Sequence, residues 1–272
     1  MPLLPSITSN NNHTNALIVG ATQGIGLEFV RQLRQESHIA NIFATYRSER
    51  TASELRALAT QHPHRLHCVP MDITEEETII SSMQTLKDIL AEQDRADSPQ
   101  SHPALHIVIN CVGLLHNEQQ QPEKALRQLN TENLVNYFKV NSIGPALLAK
   151  HLMPLLKHKS PSIFATISAK VGSIGDNRLG GWYGYRASKA ALNMFLKTAA
   201  IEYSRRTPNT TLIILHPGTT NTQLSKPFQR GVSPEKLFST ERTVSQLLTV
   251  LSNVTPEDSG EFFSWDGSRL PW

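Results

Sequence analysis

Short apolar runs alternate with amphipathic helical patterns along most of this chain of 272 residues. Several of the runs are near-continuous in Ile, Val, Leu and Phe, which is typical of strands covered on both faces. Strands that alternate with helices require βαβ crossovers, so the pattern predicts an α/β fold with a mainly parallel sheet. The predicted strands are Ala16–Val19, Asn41–Thr45, Leu66–Pro70, Leu105–Asn110, Ser162–Ile167, Leu212–Leu215 and Glu261–Trp265.

Helical spacing of apolar residues begins directly after the first strand, at Ile25, Phe29, Val30 and Leu33. Further helices are predicted over Glu75–Gln93, Thr131–Leu156, Gly184–Ser204 and Pro234–Ser252. No repeat and no break in composition divides the chain, so residues 15–272 are predicted to form a single domain. The polar residues 1–14 are predicted to precede it as a flexible leader.

Three segments without strand or helix patterns carry separate predictions. Residues 93–103 are predicted to form a polar surface loop. Residues 114–130 contain the Gln-rich stretch Glu118–Gln121 and could border a binding site, although such stretches are usually only solvated. Residues 221–239, which include Phe228 and Leu237, are either a mobile substrate lid or an ordinary surface loop.

Composition excludes several classes of protein. Hydrophobic residues make up 39% and charged residues 18% of the chain, which excludes a highly charged disordered protein. The net charge of +3 gives no reason to expect a nucleic-acid or membrane partner. Residues 1–12 contain no Lys or Arg, and no apolar stretch is long enough to span a bilayer. The sequence therefore predicts a soluble, cytoplasmic protein.

Cysteine and histidine spacing gives no metal site. Cys68 and Cys111 each lie in an apolar, strand-like run, and we expect them to be free thiols in a reducing compartment. His62, His64 and His67 are close in sequence, but no Cys or carboxylate set accompanies them at the spacing of structural zinc. No metal is therefore predicted.

The first strand ends in a glycine-rich turn, Gly20-Ala21-Thr22-Gln23-Gly24-Ile25-Gly26. Glycines permit a tight turn there and let backbone N–H groups approach a pyrophosphate at the N-terminus of the next helix. Such a turn also serves ordinary strand-to-helix packing. Its place between the first strand and an amphipathic helix favours a dinucleotide site.

Tyr185 and Lys189 lie four residues apart at the start of a predicted helix, so both project from one helix face. A nearby ammonium group favours the phenolate and is expected to lower the pKa of the tyrosine. Such a pair provides a general acid or base near neutral pH. The alternative is a surface Tyr–Lys pair without a catalytic role.

Together these elements resemble the short-chain dehydrogenase/reductase family, most closely its C-factor/carbonyl-reductase-like branch. Gly20–Gly26 is similar to the family's glycine motif and Tyr185–Lys189 to its Tyr-x3-Lys motif. Met71-Asp72-Ile73 resembles the adenine-binding segment, and Asn110-Cys111-Val112-Gly113 resembles Asn-Asn-Ala-Gly. Asn141, and Pro217-Gly218 with Thr222, resemble further family elements. The ending Trp265–Trp272, and Gly180-Gly181-Trp182 before Tyr185, are most similar to the C-factor/carbonyl-reductase-like branch.

The resemblance implies a single-domain, Rossmann-like, doubly wound fold with a seven-stranded sheet and the cofactor at the carboxyl ends of the strands. It implies hydride transfer between NAD(P)(H) and a small carbonyl or alcohol substrate. Tyr185 would protonate the oxygen, Lys189 would assist it and bind ribose, and Asn141 would maintain a proton path. The implied cofactor-binding residues are Gly20, Thr22, Gln23, Gly24, Ile25, Gly26, Arg47, Asp72, Ile73, Asn110, Gly113, Tyr185, Lys189, Pro217, Gly218 and Thr222.

NADP(H) is the expected cofactor, with NAD(H) possible. An acidic residue about twenty positions after the glycine motif binds a ribose 2′-hydroxyl, whereas Arg accommodates a 2′-phosphate. Here that position holds Thr45-Tyr46-Arg47, with no acid before Glu49. The alternative function is an NAD(P)-binding signalling or regulatory protein with little or no activity. A homo-oligomer is a further expectation from the family.

One position departs from the family pattern. Relatives commonly end the fifth strand in Ser-Ser, and the second serine hydrogen-bonds the substrate carbonyl. Here Ala169 stands at that position and has no hydroxyl. Ser168 is favoured as its replacement, with Ser173, or Tyr185 alone, as alternatives. Trp182 and Tyr183 either line the substrate mouth or pack on the core.

Overall fold

A seven-stranded parallel sheet forms the centre of the computed structural model, which describes residues 14–97 and 103–272. The strands of the sheet are β1 (Thr14–Val19), β2 (Ile39–Tyr46), β3 (Leu66–Pro70), β4 (Ile107–Asn110), β5 (Ser162–Ile167), β6 (Thr210–His216) and β9 (Phe262–Ser264); β7 (Thr219–Thr220) and β8 (Leu237–Phe238) form a separate pair. The spatial order in the sheet is β3-β2-β1-β4-β5-β6-β9. The predicted Rossmann-like fold class is confirmed.

Seven α-helices are present in the described part of the chain. They are α1 (Gly24–Leu33), α2 (Ser53–Gln61), α3 (Glu76–Asp97), α4 (Thr131–Phe138), α5 (Gly144–Leu156), α6 (Tyr183–Arg206) and α7 (Thr240–Asn253). Helices α1, α2 and α7 contribute to the apolar core on one face of the sheet. Helices α3, α5 and α6 contribute to the core on the other face. Both faces are covered, which explains the continuous apolar runs of the strands.

The structure corrects several predicted boundaries. The predicted leader lies outside the described residues except for Thr14, which already belongs to β1. Helix α3 continues to Asp97, so the first residues of the predicted loop 93–103 are helical. Helix α7 begins at Thr240 rather than Pro234, because the Ser239 side chain accepts a hydrogen bond from Arg242 N–H and caps the helix there. Helix α2 was not predicted because it buries only Leu55 and has little apolar periodicity.

Cys68 and Cys111 are free thiols, as expected. No helix in residues 14–97 and 103–272 is long and apolar enough to cross a membrane. Within the same residues no cluster of three or more His, Cys, Asp or Glu side chains is arranged to hold a metal ion.

Candidate active site

A cleft of about 780 Å³ opens at the carboxyl ends of β1, β4, β5 and β6. The chain order reverses between β1 and β4, so the loops after these two strands diverge and leave a crevice between them. In open α/β sheets this is where ligands bind. The cleft also continues past the N-terminal end of α6 to the segment that follows β7.

The glycine turn after β1 brings backbone into the floor of this cleft. Gly20 has φ of 80°, and a Cβ atom there would lie 2.8 Å from the Val112 side chain. A Cβ atom at Gly26 would overlap the carbonyl oxygen of Gly20. Gln23 precedes α1 without a side-chain cap, so no side chain competes for the first amides of the helix. The turn therefore fits a pyrophosphate group at the helix N-terminus.

Most residues expected to bind a cofactor line this one cleft. They are Gly20, Thr22, Gln23, Gly24, Ile25, Gly26, Arg47, Asp72, Ile73, Gly113, Tyr185, Lys189, Pro217, Gly218 and Thr222. Asn110 is the exception, because it is fully buried behind the cleft wall. Its Oδ1 accepts a hydrogen bond from Val112 N–H at 3.1 Å and so shapes the turn after β4.

Arg47 and Asp72 stand at the end of the cleft formed by β2 and β3. Arg47 is exposed, and no described residue forms a hydrogen bond or ion pair with its guanidinium group. Asp72 is half-buried, and its Oδ1 accepts hydrogen bonds from the backbone and the hydroxyl of Thr74. The free guanidinium group fits an anionic ligand, and the fixed carboxylate fits a donor group such as an amine.

Tyr185 and Lys189 are buried on the face of α6 that faces the cleft. Lys189 Nζ donates a hydrogen bond to the Ile167 carbonyl at 3.1 Å and lies 6.0 Å from the centre of the Tyr185 ring. Burial raises the pKa of Tyr185 above its usual value and lowers the pKa of Lys189 to about 8. The expected lowering of the tyrosine pKa is therefore wrong in this arrangement, because desolvation outweighs a distant ammonium group.

Asn141 lies in a single π-helical turn, Lys139–Ile143, which joins α4 to α5. The wider turn interrupts the helix predicted over residues 131–156. Such π-bulges within α-helices are frequent at functional sites. Asn141 Oδ1 accepts from Leu114 N–H at 2.7 Å, and its Nδ2 donates to the Leu114 carbonyl at 2.8 Å. Nδ2 also donates to Ser188 Oγ at 3.0 Å, so Asn141 ties the cleft wall to the helix that carries Tyr185.

Aromatic side chains form the mouth of the cleft beside Tyr185. The Trp182 ring makes edge contacts with Tyr185, at 6.2 Å between centres, and with Phe228, at 5.0 Å. The His116 ring also makes an edge contact with Phe228, at 5.5 Å between centres. Of the two predicted mouth residues, Trp182 lines the cleft and Tyr183 does not. Because Leu224 and Phe228 also line it, residues 221–239 cover part of the mouth.

The profile of the short chain dehydrogenase family matches residues 14–232. The chain belongs to this family of oxidoreductases. An uncharacterized oxidoreductase of Schizosaccharomyces pombe is 27% identical over 266 residues, covering 94% of this chain and 96% of the relative. C-signal of Myxococcus xanthus is 30% identical over 148 residues, covering 54% and 84%. The crystal structure of NADPH-bound carbonyl reductase from chicken fatty liver matches with a TM-score of 0.80 and 28% identity, covering 95% and 98%. The resemblance to the C-factor/carbonyl-reductase-like branch is confirmed.

Ser168 and Ser173 are the two serines that could replace the hydroxyl missing at Ala169. Ser168 lines the cleft but is almost fully buried, and its hydroxyl donates a hydrogen bond to Asn193 Oδ1 on α6 at 2.7 Å. Its hydrogen is therefore directed at the helix, whereas Ala169 contacts the apolar cluster around Tyr185. Ser173 Oγ accepts from Asp176 N–H, and Ser173 does not line the cleft. The geometry favours a role for Ser168 in joining β5 to α6, and its predicted catalytic role stays a prediction.

We expect Ser168→Ala to lower the free energy of unfolding by about 1–3 kcal/mol, because it leaves the buried side-chain oxygen Oδ1 of Asn193 without a hydrogen-bond donor. Turnover should fall by less than about tenfold, since no hydroxyl aimed at substrate is removed. Chemical denaturation and steady-state kinetics measure the two effects, with Ser173→Ala as the comparison. A loss in turnover above about 100-fold at unchanged stability would return Ser168 to the catalytic group.

The lowered pKa of Lys189 predicts a pH dependence. Below about pH 8 the side chain carries a proton and a positive charge, and both are lost as the pH rises through about 8. We expect kcat/KM for the cofactor, which reports groups of the free enzyme, to fall above that pH. In Lys189→Arg the guanidinium stays charged, so any remaining activity should not show this fall in kcat/KM. An identical fall in kcat/KM in both proteins would exclude Lys189 as the titrating group.

Some residues of the site were not predicted from the sequence. His216 lines the cleft, and burial lowers its pKa to about 4, so the ring is neutral near pH 7. Its position directly before Pro217-Gly218, which was predicted to bind the cofactor, could have identified it as a site residue. Residues 114–117 line the cleft, and Gln120 and Glu123 are buried, so this segment borders the site, whereas the rest of the Gln-rich stretch Glu118–Gln121 is exposed to solvent. Gln120 and Glu123 were not predicted, because the low-complexity composition of this segment is typical of a solvated loop.

Proposed function

We propose that this chain is an NADP(H)-dependent oxidoreductase that interconverts a small carbonyl compound and its alcohol. The observation that carries the proposal is the meeting of Tyr185 and Lys189 with the glycine turn in one cleft. The NADPH-bound carbonyl reductase of similar fold supports the choice of cofactor and reaction. Gly20, Gly26 and the free amides of α1 would hold the pyrophosphate, and Arg47 would pair with the 2′-phosphate.

Bound NADPH would supply the hydride, and the protein would supply position and a proton. Tyr185 carries its phenolic proton at neutral pH, as an ordinary tyrosine does, and would donate it to the oxygen of a carbonyl. Lys189 is held by the Ile167 carbonyl within the same wall and can donate to a ribose hydroxyl. Asn141 fixes Leu114 and Ser188, which keeps the wall and α6 in register.

The proposal is tested by titrating the protein with NADPH, following nicotinamide fluorescence, and then measuring turnover against a panel of aldehydes and ketones. Binding with turnover is the expected result. Binding without turnover across the panel would favour a regulatory protein, a candidate supported by the similarity to C-signal. Absence of NADPH and NADH binding would contradict both candidates.

A further inference from the structure

Glu123 is a buried acid next to the candidate active site but outside the lining of its cleft. Only 2% of the residue is exposed, and it lies in the loop that leads from β4 to α4. Its Oε2 accepts a hydrogen bond from Gly184 N–H at 3.1 Å, and its carbonyl oxygen accepts from Trp182 N–H at 2.5 Å. One residue therefore binds the start of the Tyr185 helix twice.

The carboxylate meets the end of α6 that needs an acceptor. The first amides of a helix have no partner within the helix, and their dipoles make this end positive. Trp182, the residue before α6, provides no side-chain cap. The second carboxylate oxygen, Oε1, is buried and has no hydrogen-bond partner among the described residues. Burying an acid in this way is costly unless a positive group compensates, and the helix end is positioned to do so.

The same contacts hold an unusual backbone. Trp182 has φ of 53° and is the one non-glycine residue in the described ranges with a left-handed conformation, which costs free energy in any residue other than glycine. Arg186 supports the preceding turn by donating to the carbonyls of Gly180 and Gly181. With Trp182 fixed, its ring lies against Tyr185 and Phe228 at the cleft mouth.

Packing leaves this arrangement little freedom. A Cβ atom at Gly184 would lie 2.5 Å from the Tyr137 ring and 2.9 Å from Glu123 Oε1. The Tyr137 hydroxyl in turn donates to the Leu115 carbonyl at 2.7 Å, and its ring contacts that of Tyr185. The Glu123 carboxylate thus belongs to a close-packed group around the first turn of α6, in which movement of one member displaces the others.

We propose that Glu123 is a positioning residue for Tyr185: it caps α6 from a separate loop and fixes both the first helical turn and the Trp182 ring. Glu123 touches neither cofactor nor substrate in this assignment. As far as it concerns turnover, the inference rests on the proposed function.

The test compares three variants in the full-length protein. Glu123→Gln keeps an oxygen acceptor for Gly184 N–H, whereas Glu123→Ala removes it. Glu123→Asp keeps the charge but draws the oxygens back by one methylene, and it replaces the alanine variant should that one fail to fold. Glu118→Ala is the control, since Glu118 is an exposed acid in the same loop. The measurements are kcat, carbonyl KM, the NADPH Kd, and amide hydrogen exchange along α6.

Glu123→Ala should lower kcat by about 30-fold or more and raise the carbonyl KM, because small displacements of reacting groups cost about 100-fold in rate. The NADPH Kd should stay within about threefold, since Glu123 does not line the cleft that contains the glycine turn. Exchange should rise at residues 183–185 and stay unchanged in the middle of α6. Glu123→Gln should recover kcat to within about fivefold of the wild type because the acceptor returns.

Two results would overturn the assignment. One is a Glu123→Ala protein whose kcat and first-turn exchange both stay within about twofold of the wild type. The other is faster exchange along all of α6 without rescue by Gln, which would make Glu123 a residue of general stability. A wild-type protein inactive on the whole carbonyl panel would contradict the proposed function alone. Exchange in the three variants would then still decide whether Glu123 holds the helix.

Discussion

Tyr185→Phe should lower turnover by at least about 100-fold, the usual lower range for loss of a general acid. The reason is that Tyr185 is the buried phenol next to Lys189 in the cleft, and phenylalanine keeps the ring but has no proton to give. The NADPH Kd should change by less than about threefold, because the glycine turn and Arg47 are untouched. Steady-state kinetics and fluorescence titration measure the two quantities.

Tyr137→Phe is the matched control for this experiment. Tyr137 is also buried and packs against Tyr185, but its hydroxyl donates to the Leu115 carbonyl rather than into the cleft. Loss of this hydroxyl should lower the free energy of unfolding by about 1 kcal/mol and change the turnover rate little. Turnover in Tyr185→Phe above about a tenth of the wild-type rate would remove Tyr185 from its role as proton donor.

Arg47→Ala is expected to weaken NADPH binding by about 10- to 100-fold, which corresponds to losing a charge-assisted bidentate contact with phosphate. NADH binding should stay within about twofold, because NADH carries no 2′-phosphate. The guanidinium group is exposed at the cleft edge and has no hydrogen-bond or ion-pair partner in the described residues, so its removal breaks no internal contact. Fluorescence titration with each cofactor gives the ratio.

Arg50→Ala provides the control for charge alone. Arg50 is exposed three residues further along and does not line the cleft. It should change the affinity for both cofactors by less than about twofold, because solvent screens distant surface charges. Similar NADPH and NADH affinities in the wild type and in Arg47→Ala would contradict the assignment of Arg47 to the 2′-phosphate.

The sequence was informative where one local pattern determines the outcome. Strands buried on both faces appear as apolar runs. The glycine turn and the Tyr185–Lys189 pair are short motifs, each contained in a few consecutive residues. It was less informative where the outcome depends on contacts between distant segments. The direction of the Ser168 hydroxyl depends on Asn193 on a separate helix, and the cap that Glu123 provides spans a separation of 61 positions.

The π-helical turn and the pKa of Tyr185 were beyond prediction for related reasons. A helix that widens for one turn keeps nearly the same apolar spacing, so residues 131–156 look continuous in sequence. The sign of the tyrosine shift depends on the balance between burial and the distance to Lys189, and neither quantity is fixed by a four-residue spacing.

The central position of β1 in the sheet divides the chain into a half that is synthesised first and a half that is synthesised later. Strand β1 pairs on one side with β2, which follows directly, and on the other with β4. Beside that second pairing, Asn15 N–H donates to His106 across 91 positions, so closure of this seam carries a large loop-closure cost. The glycine turn belongs to the half made first during synthesis, and Asn141, Tyr185 and Lys189 belong to the other. A dinucleotide spanning the crevice would join the two halves, so we expect bound cofactor to stabilise the folded protein chiefly by holding the pairing of β1 with β4 closed.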